Sequence, residues 1–489
     1  MRTLRCVCSL LLITASAVLL LAAIGGCAKH HPAGGLSKLK PCRLAGVDEQ
    51  LLCGKLTVFE NRETHNGRTI DLNIVVLPAL DQKTKAEPLF DLAGGPGASS
   101  ADGAGFYAGP GKIYRRRHDV VCVDQRGTGK SNRLSISRQK APQDYVSEMY
   151  PVDYVREMRH ALEARADLTK YTTSIAMDDL DDVRAWLGYN RINLFGLSYG
   201  TRAALVYMRQ HPEHVRSAIL MGVALTGLKM PLHHAEAAAR AMDLLLRECE
   251  QDTACHAAFP QIRDDWNNAL AQLEKQPARV EYHPRDNATK TTIEIQRDVF
   301  AEKIRNWMYG RDKAARIPLI VHHAAVGDFA PFLQQVIGPS IPDFIADGMY
   351  LSVTCAEDVP FIDQEEAAKL NAGNPFGNYR VFQQTRACGM WPRGEIPGDF
   401  LEPVFSNAPV LILSGNMDPV TPPSFGEEAA SHLSNSRHLI VPAAGHGIDG
   451  LSDPGCVDRI ALEFLDKAGA NTLDVSCVDR MARPPFATK

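Results

Sequence analysis

Residues 192–200 constrain this chain more than any other stretch. Ile192, Leu194 and Phe195 lie in a short apolar run, Gly196-Leu197-Ser198-Tyr199-Gly200 follows at once, and a helical pattern begins near Thr201. A buried strand that enters a helix through Gly-x-Ser-x-Gly must turn sharply. The turn needs small residues at Gly196 and Gly200, and it lifts the Ser198 hydroxyl to a sheet edge. Further apolar runs at 88–92, 120–123, 218–221, 410–413 and 438–441 read as fully buried strands, with helical segments at 177–187 and 201–211 between several of them. Strand alternating with helix predicts an α/β architecture with a mostly parallel sheet and helices on both faces. Ahead of it, the β-branched runs 55–59 and 70–77 flank the polar residues 61–68 and read as a hairpin.

A serine hydroxyl is a poor nucleophile unless a base takes its proton and a carboxylate fixes that base. In a strand-turn-helix site of this kind the acid and then the histidine should follow the serine, each after a late strand. The run 410–419 supplies Asp418, and the run 439–447 supplies His446 between Gly445 and Gly447. His438, at a strand start, and His432, in a helical stretch, are weaker rivals. An oxyanion needs two convergent N–H donors. The backbone of Tyr199 is one; the loop holding Gly94-Gly95-Pro96-Gly97 supplies the other, with Gly95 preferred, Gly94 in reserve, and Pro96 unable to donate. The run 124–131 ends like a phosphate-binding loop, but Asp124 stands where its first glycine belongs. It reads as a structural turn, and no cofactor is expected.

The N-terminus sets the compartment. Two arginines within residues 1–5 precede an uncharged apolar run at 6–24, the layout of an export signal. The end, Ile24-Gly25-Gly26-Cys27, resembles a bacterial lipobox, which makes Cys27 the expected lipidation site; an uncleaved anchor is the alternative. Either way the body lies outside the cytoplasm, in the periplasm or cell envelope or secreted, and meets the membrane only through this segment. Twelve cysteines fit an oxidising compartment. Three belong to the export segment, and proximity pairs Cys42 with Cys53, Cys249 with Cys255, Cys355 with Cys388 and Cys456 with Cys477. That leaves Cys122 as a buried thiol. No Cys-x-x-Cys pair follows Cys27 and the histidine doublets lack i, i+4 spacing, so no metal site is expected. A net charge of −4 gives no electrostatic reason to bind nucleic acid, and the run Arg115-Arg116-Arg117 reads as a solvated loop.

Nearly 190 residues separate the strand ending at Met221 from the one starting at Val410, far more than a crossover needs. Helical patterns at 235–250, 264–275 and 297–308 predict a large, mainly helical cap inserted into the core. The expected organisation is an export segment at 1–27, a linker at 28–45, core at 46–227, cap at 228–402 and returning core at 403–489.

Several pieces together carry a family resemblance: Gly94-Gly95-Pro96-Gly97, Asp124-Gln125-Arg126-Gly127, Tyr171-Thr172-Thr173, Gly196-Leu197-Ser198-Tyr199-Gly200, Thr354-Cys355-Ala356-Glu357-Asp358, Asp418-Pro419-Val420-Thr421-Pro422 and Gly445-His446-Gly447. In this order the chain resembles the α/β-hydrolase serine peptidases that include proline iminopeptidase and the secreted tripeptidyl aminopeptidases, down to a tripeptidyl-type C-terminal region. Ala93 departs from the histidine that many iminopeptidases place there, which favours the tripeptidyl branch. The resemblance implies peptide substrates cut near a free N-terminus. Reading an α-ammonium requires an unpaired carboxylate near the acyl site, and Glu357 and Asp358 are the candidates. A carboxylesterase or lipase with the same triad, or a non-catalytic binding lipoprotein, are the alternatives.

Overall fold

The computed structural model describes residues 35–137, 141–283, 290–337, 344–469 and 472–489. Cys27 and the export segment lie outside these residues. The strands, in chain order, are β1 (Lys40–Cys42), β2 (Leu51–Phe59), β3 (Thr69–Leu77), β4 (Ala86–Leu92), β5 (His118–Val123), β6 (Ile192–Leu197), β7 (Val215–Met221), β8 (Ala278–Tyr282), β9 (Thr291–Ile295), β10 (Val410–Gly415) and β11 (Ser436–Val441). Nine of them form one sheet in the order β1-β2-β3-β5-β4-β6-β7-β10-β11. The hairpin predicted at 55–77 is β2–β3, antiparallel with Lys55 opposite Asn73, and β3 joins β5 antiparallel. From β5 through β4, β6, β7 and β10 to β11 every pairing is parallel.

The continuous apolar strands follow from burial on both faces. On β3, Ile70, Leu72, Ile74 and Val76 enter one core cluster while Val75 and Leu77 enter the other. On β5, Val121 and Val123 face the first cluster, and Val120 and Cys122 the second. Cys122 is the buried free thiol expected, and burial pushes its pKa up. Helices Thr173–Trp186 and Tyr199–Gln210 cover the first face through Met177, Leu180, Ala203 and Tyr207; helix Gly455–Lys467 covers the second through Ile460 and Phe464.

Between β7 and β10 the chain divides in a way that hydrophobic period does not reveal. Helices His234–Gln251, Ile262–Lys275, Arg297–Trp307, Ile317–Ala325 and Ala330–Val336, with the antiparallel pair β8–β9, enclose a core of their own around Leu245, Trp266, Phe300 and Phe332. Helices Asp347–Glu357 and Tyr379–Cys388 instead return to the sheet. Met349, Leu351, Val353 and Ala387 belong to the first sheet cluster, and the Cys355–Cys388 disulfide joins the two helices. The other disulfides are Cys42–Cys53, Cys249–Cys255 and Cys456–Cys477, the pairs that proximity suggests. Four bridges fit an extracytoplasmic protein.

The turn at 124–131 is a structural hub. Asp124 accepts from Ser99 Oγ, Asn73 Nδ2 and the N–H groups of Ala101 and Lys130. Arg126, fully buried, makes two bonds to Asp179. The basic run is solvated only in part: Arg115 is 3% exposed and pairs with Glu49, while Arg116 is exposed and Arg117 half-buried, both reaching Asp466. Its charges are neutralised by acids that are 66 and about 350 positions away in sequence, which local composition does not register. Among the described residues no helix is long and apolar enough to cross a membrane, and no cluster of three or more His, Cys, Asp or Glu residues could hold a metal ion.

Candidate active site

Parallel pairing brings the ends of β4, β6, β7, β10 and β11 to one edge of the sheet. Ser198 sits in the turn between β6 and helix Tyr199–Gln210 with φ 57° and ψ −123°, a strained conformation that raises a side chain off the sheet. The flanking glycines are demanded by close approach. A Cβ on Gly200 would lie 1.9 Å from the Leu92 carbonyl oxygen, and one on Gly196 would lie 2.5 Å from that of Gly200. Ser198 N–H donates to the Met221 carbonyl at 2.9 Å, which ties the turn to β7, and its side chain is half-buried.

His446 lies in the loop after β11 and meets Asp418 from the loop after β10. The distance from Nδ1 to Asp418 Oδ2 is 2.7 Å. Asp418 is fully buried, yet every oxygen is satisfied: Oδ1 accepts from the N–H groups of Val420 and Thr421, and Oδ2 from Thr421 Oγ1 at 2.7 Å. Four polar partners fix the orientation of this carboxylate. The imidazole rests on Gly222, where a Cβ would stand 3.1 Å from its Cε1; Gly222 directly follows Met221, the residue that anchors Ser198. His446 Nε2 is buried and engages no described group, so the nitrogen a base would use is uncommitted. The rival histidines are placed elsewhere. His438 pairs with Ser414 Oγ, and His432 is half-buried beside the carbonyl of Glu428.

The loop after β4 runs along the serine. A Cβ on Gly94 would be 3.2 Å from Ser198 Cβ, and Gly95 adopts φ 113°. The N–H of Tyr199 opens its helix, where the first amides lack intrahelical partners. Neither it nor the Gly95 N–H donates to another group among the described residues.

Glu357 and Asp358 end the helix Asp347–Glu357 and are both fully buried. Asp358 was expected to be unpaired and is not: Arg202 donates to both its oxygens at 2.8 Å, and Met230 N–H donates to Oδ1. A buried acid attracts a buried cation, and this one comes from the helix that follows Ser198. Glu357 accepts from Thr173 N–H at 2.6 Å and Thr173 Oγ1 at 2.8 Å, and Thr173 Oγ1 also bonds the Tyr199 hydroxyl. Burial pushes Glu357 up to about 7 against the pull of Arg202, whose guanidinium is 3.7 Å away and already committed to Asp358.

Two further residues meet the Asp418–His446 pair. Thr421 bridges Asp418 and His446, lying 3.0 Å from Nδ1; an acid followed three positions later by a hydroxyl is a local signal that could have found it. Tyr309 packs on His446 with ring centroids 4.8 Å apart, and no local signal marks it.

This arrangement of sheet, turn and late acid and histidine places the protein in a class: residues 92–448, more than half of the chain, match the family described as alpha/beta hydrolase fold, and the chain belongs to it. It is a hydrolase. Among its relatives are the serine protease Hip1 of Mycobacterium tuberculosis, 23% identical over 87% of this chain and 88% of that protein, and the tripeptidyl aminopeptidase of Streptomyces coelicolor, 24% identical over 90% and 85%. A solved proline iminopeptidase from Mycobacterium smegmatis covers 85% of this chain and 98% of its own at 16% identity, with a TM-score of 0.42.

Proposed function

We propose that this protein is an exported serine aminopeptidase that cuts peptides near a free N-terminus through an acyl-enzyme. Ser198 Oγ attacks the scissile carbonyl and passes its proton to His446 Nε2. Asp418 holds Nδ1–H and steadies the imidazolium. The N–H groups of Tyr199 and Gly95 receive the oxyanion, and His446 returns the proton to the leaving amine. Water then repeats the sequence on the acyl-enzyme.

The observation that carries the hydrolytic step is the 2.7 Å Asp418–His446 contact with Nε2 uncommitted over the residue beside Met221. Peptide specificity is supported by similarity that runs through nearly the full length of two relatives named as peptidases. It is also supported by Glu357. Arg202 makes its short bonds to Asp358 and lies 3.7 Å from Glu357, so among the described residues Glu357 shares its only nearby cation, and a substrate ammonium would add a second. Asp358 serves in this assignment as the partner that fixes Arg202. The export segment, with Cys27 lipidated, places the enzyme outside the cytoplasm, where its disulfides persist.

The decisive experiment compares di- and tripeptidyl chromogenic substrates with free and acetylated N-termini, alongside Ser198→Ala. Ser198→Ala is expected to lower kcat by several orders of magnitude. Acetylation is expected to lower kcat/KM by about ten- to a hundredfold, the worth of a charged hydrogen bond. Equal rates on blocked and free peptides would move the assignment to an esterase or an endopeptidase. Near-native turnover in Ser198→Ala would remove it altogether.

A further inference from the structure

We infer that Tyr309, contributed by the segment inserted between β7 and β10, is a positioning residue for His446, so that the insertion forms part of the reaction machinery as well as its cover. This rests on the triad assigned above. Two contacts join the two residues, and a third joins Tyr309 to Gly447. The Tyr309 carbonyl accepts the N–H of His446 at 2.9 Å and that of Gly447 at 3.4 Å, which fixes the backbone on which the imidazole is carried. The Tyr309 ring lies against the imidazole at 4.8 Å and 66°, and Gly222 also lies close to that imidazole. The ring is itself held. Arg305 Nη1 donates to the Tyr309 hydroxyl at 3.3 Å, its guanidinium lies 5.5 Å from the ring centroid, and Arg305 is fixed by two bonds to the buried Glu302.

The surrounding chain is built for this approach. A Cβ on Gly445 would stand 2.6 Å from the Tyr309 oxygen and 2.8 Å from that of Met308, so the residue before His446 has no room for a side chain. Arg311 N–H donates to the Asp449 carbonyl at 3.2 Å. Behind it, Arg311 pairs with Glu248, Arg483 of the C-terminal tail pairs with Glu248 and Asp252, and Ala487 N–H donates to the Ala315 carbonyl. The segment 308–315 is thus bound on one side to the His446 loop and on the other to the helix His234–Gln251 and the chain end. It cannot swing away without taking His446 along.

Chemically, the imidazole must become an imidazolium in the transition state, and an aromatic ring at this distance favours the charged form. The other titratable groups facing the pair are Asp418 on Nδ1, Arg305 on the Tyr309 hydroxyl, Tyr350 of the helix Asp347–Glu357 within electrostatic reach of Tyr309, and from the helix His234–Gln251 the residues His234 and Arg240, within electrostatic reach of His446 and Asp418 respectively. Of these only Arg305 loses a contact when Tyr309 is replaced by leucine; its two bonds to Glu302 remain, and Tyr309→Phe, which also loses the hydroxyl contact, serves as the control.

The test uses the full enzyme with Tyr309→Leu, which removes the ring and keeps the carbonyl, and Tyr309→Phe, which removes only the hydroxyl. Active sites are counted by covalent labelling of Ser198 with a fluorophosphonate. Per labelled site, Tyr309→Leu is expected to lower kcat roughly tenfold with KM within about twofold, and to move the acid limb of the kcat/KM profile to lower pH by about half a unit. Tyr309→Phe is expected to stay within about threefold of the native enzyme with an unmoved limb. A purely structural role would lower the number of labelled sites and leave kcat per site and the pH limb unchanged, and that result overturns the inference. His446→Ala is run in parallel. Full turnover in that variant refutes the triad itself, whereas an inactive His446→Ala beside a native Tyr309→Leu refutes only the role of Tyr309.

Discussion

At the residue scale the candidate site is a set of short contacts made by groups far apart in the chain. Asp418 and Thr421 show how such a set works. The acid is fully buried, and two amides, one hydroxyl and the imidazole of His446 hold it in place. Thr421→Val keeps the amide and the shape but removes the hydroxyl, so kcat is expected to fall about ten- to a hundredfold with KM little changed, the signature of an interaction made to charge in the transition state. Steady-state kinetics on a tripeptidyl substrate checks this, and an unaltered kcat would show that the two amides suffice. Ser198, Asp418 and His446 were legible because each closes an apolar run, and the order serine, acid, histidine limits the choice. Asp358 was misread for an equally physical reason: sequence displays an acid but not its counter-ion, and Arg202 lies 156 positions away.

At the element scale, the hairpin β2–β3 and the strands of the parallel sheet were visible from hydrophobic period and turn residues, since both faces of the sheet are buried and the runs are therefore uninterrupted. Helices in the long interval were visible too, but their allegiance was not. Arg297–Trp307 answers the helical pattern at 297–308, whereas no such pattern marks Asp347–Glu357; Phe300 of the first packs in the insertion's own core, and Leu351 of the second packs on the sheet. An apolar stripe specifies that a helix is buried and leaves open against what. The Cys355–Cys388 bridge, closing a 33-residue span, fastens the second pair of helices, so Cys355→Ala with Cys388→Ala is expected to cost about 3–4 kcal/mol. Urea unfolding of the native and double-variant proteins measures it. A loss well below 1 kcal/mol would mean that packing alone seats these helices.

At the scale of the whole molecule, one buried carboxyl ties stability to pH. Glu357 is raised from an ordinary value near 4.5 to about 7 by burial. A carboxyl whose pKa is higher folded than unfolded binds protons preferentially in the folded state. Its contribution is therefore complete below about pH 4.5 and is lost as pH rises through 7, by roughly 3 kcal/mol in all. Glu357→Gln is expected to flatten that slope in urea melts between pH 5 and 8; an unchanged slope would assign it to another group. The sequence by itself determined the α/β layering, the serine turn, the acid and the histidine, and the cysteine pairs, because hydrophobic period, turn chemistry and chain proximity are local properties. Only the tertiary structure decided that Arg202 neutralises Asp358, that Arg115 is buried, that the interval between β7 and β10 splits between two cores, and that Tyr309 meets His446. Each of these depends on surfaces brought together across more than 60 residues of chain, and burial and pairing over such distances are fixed by packing rather than by neighbours in sequence.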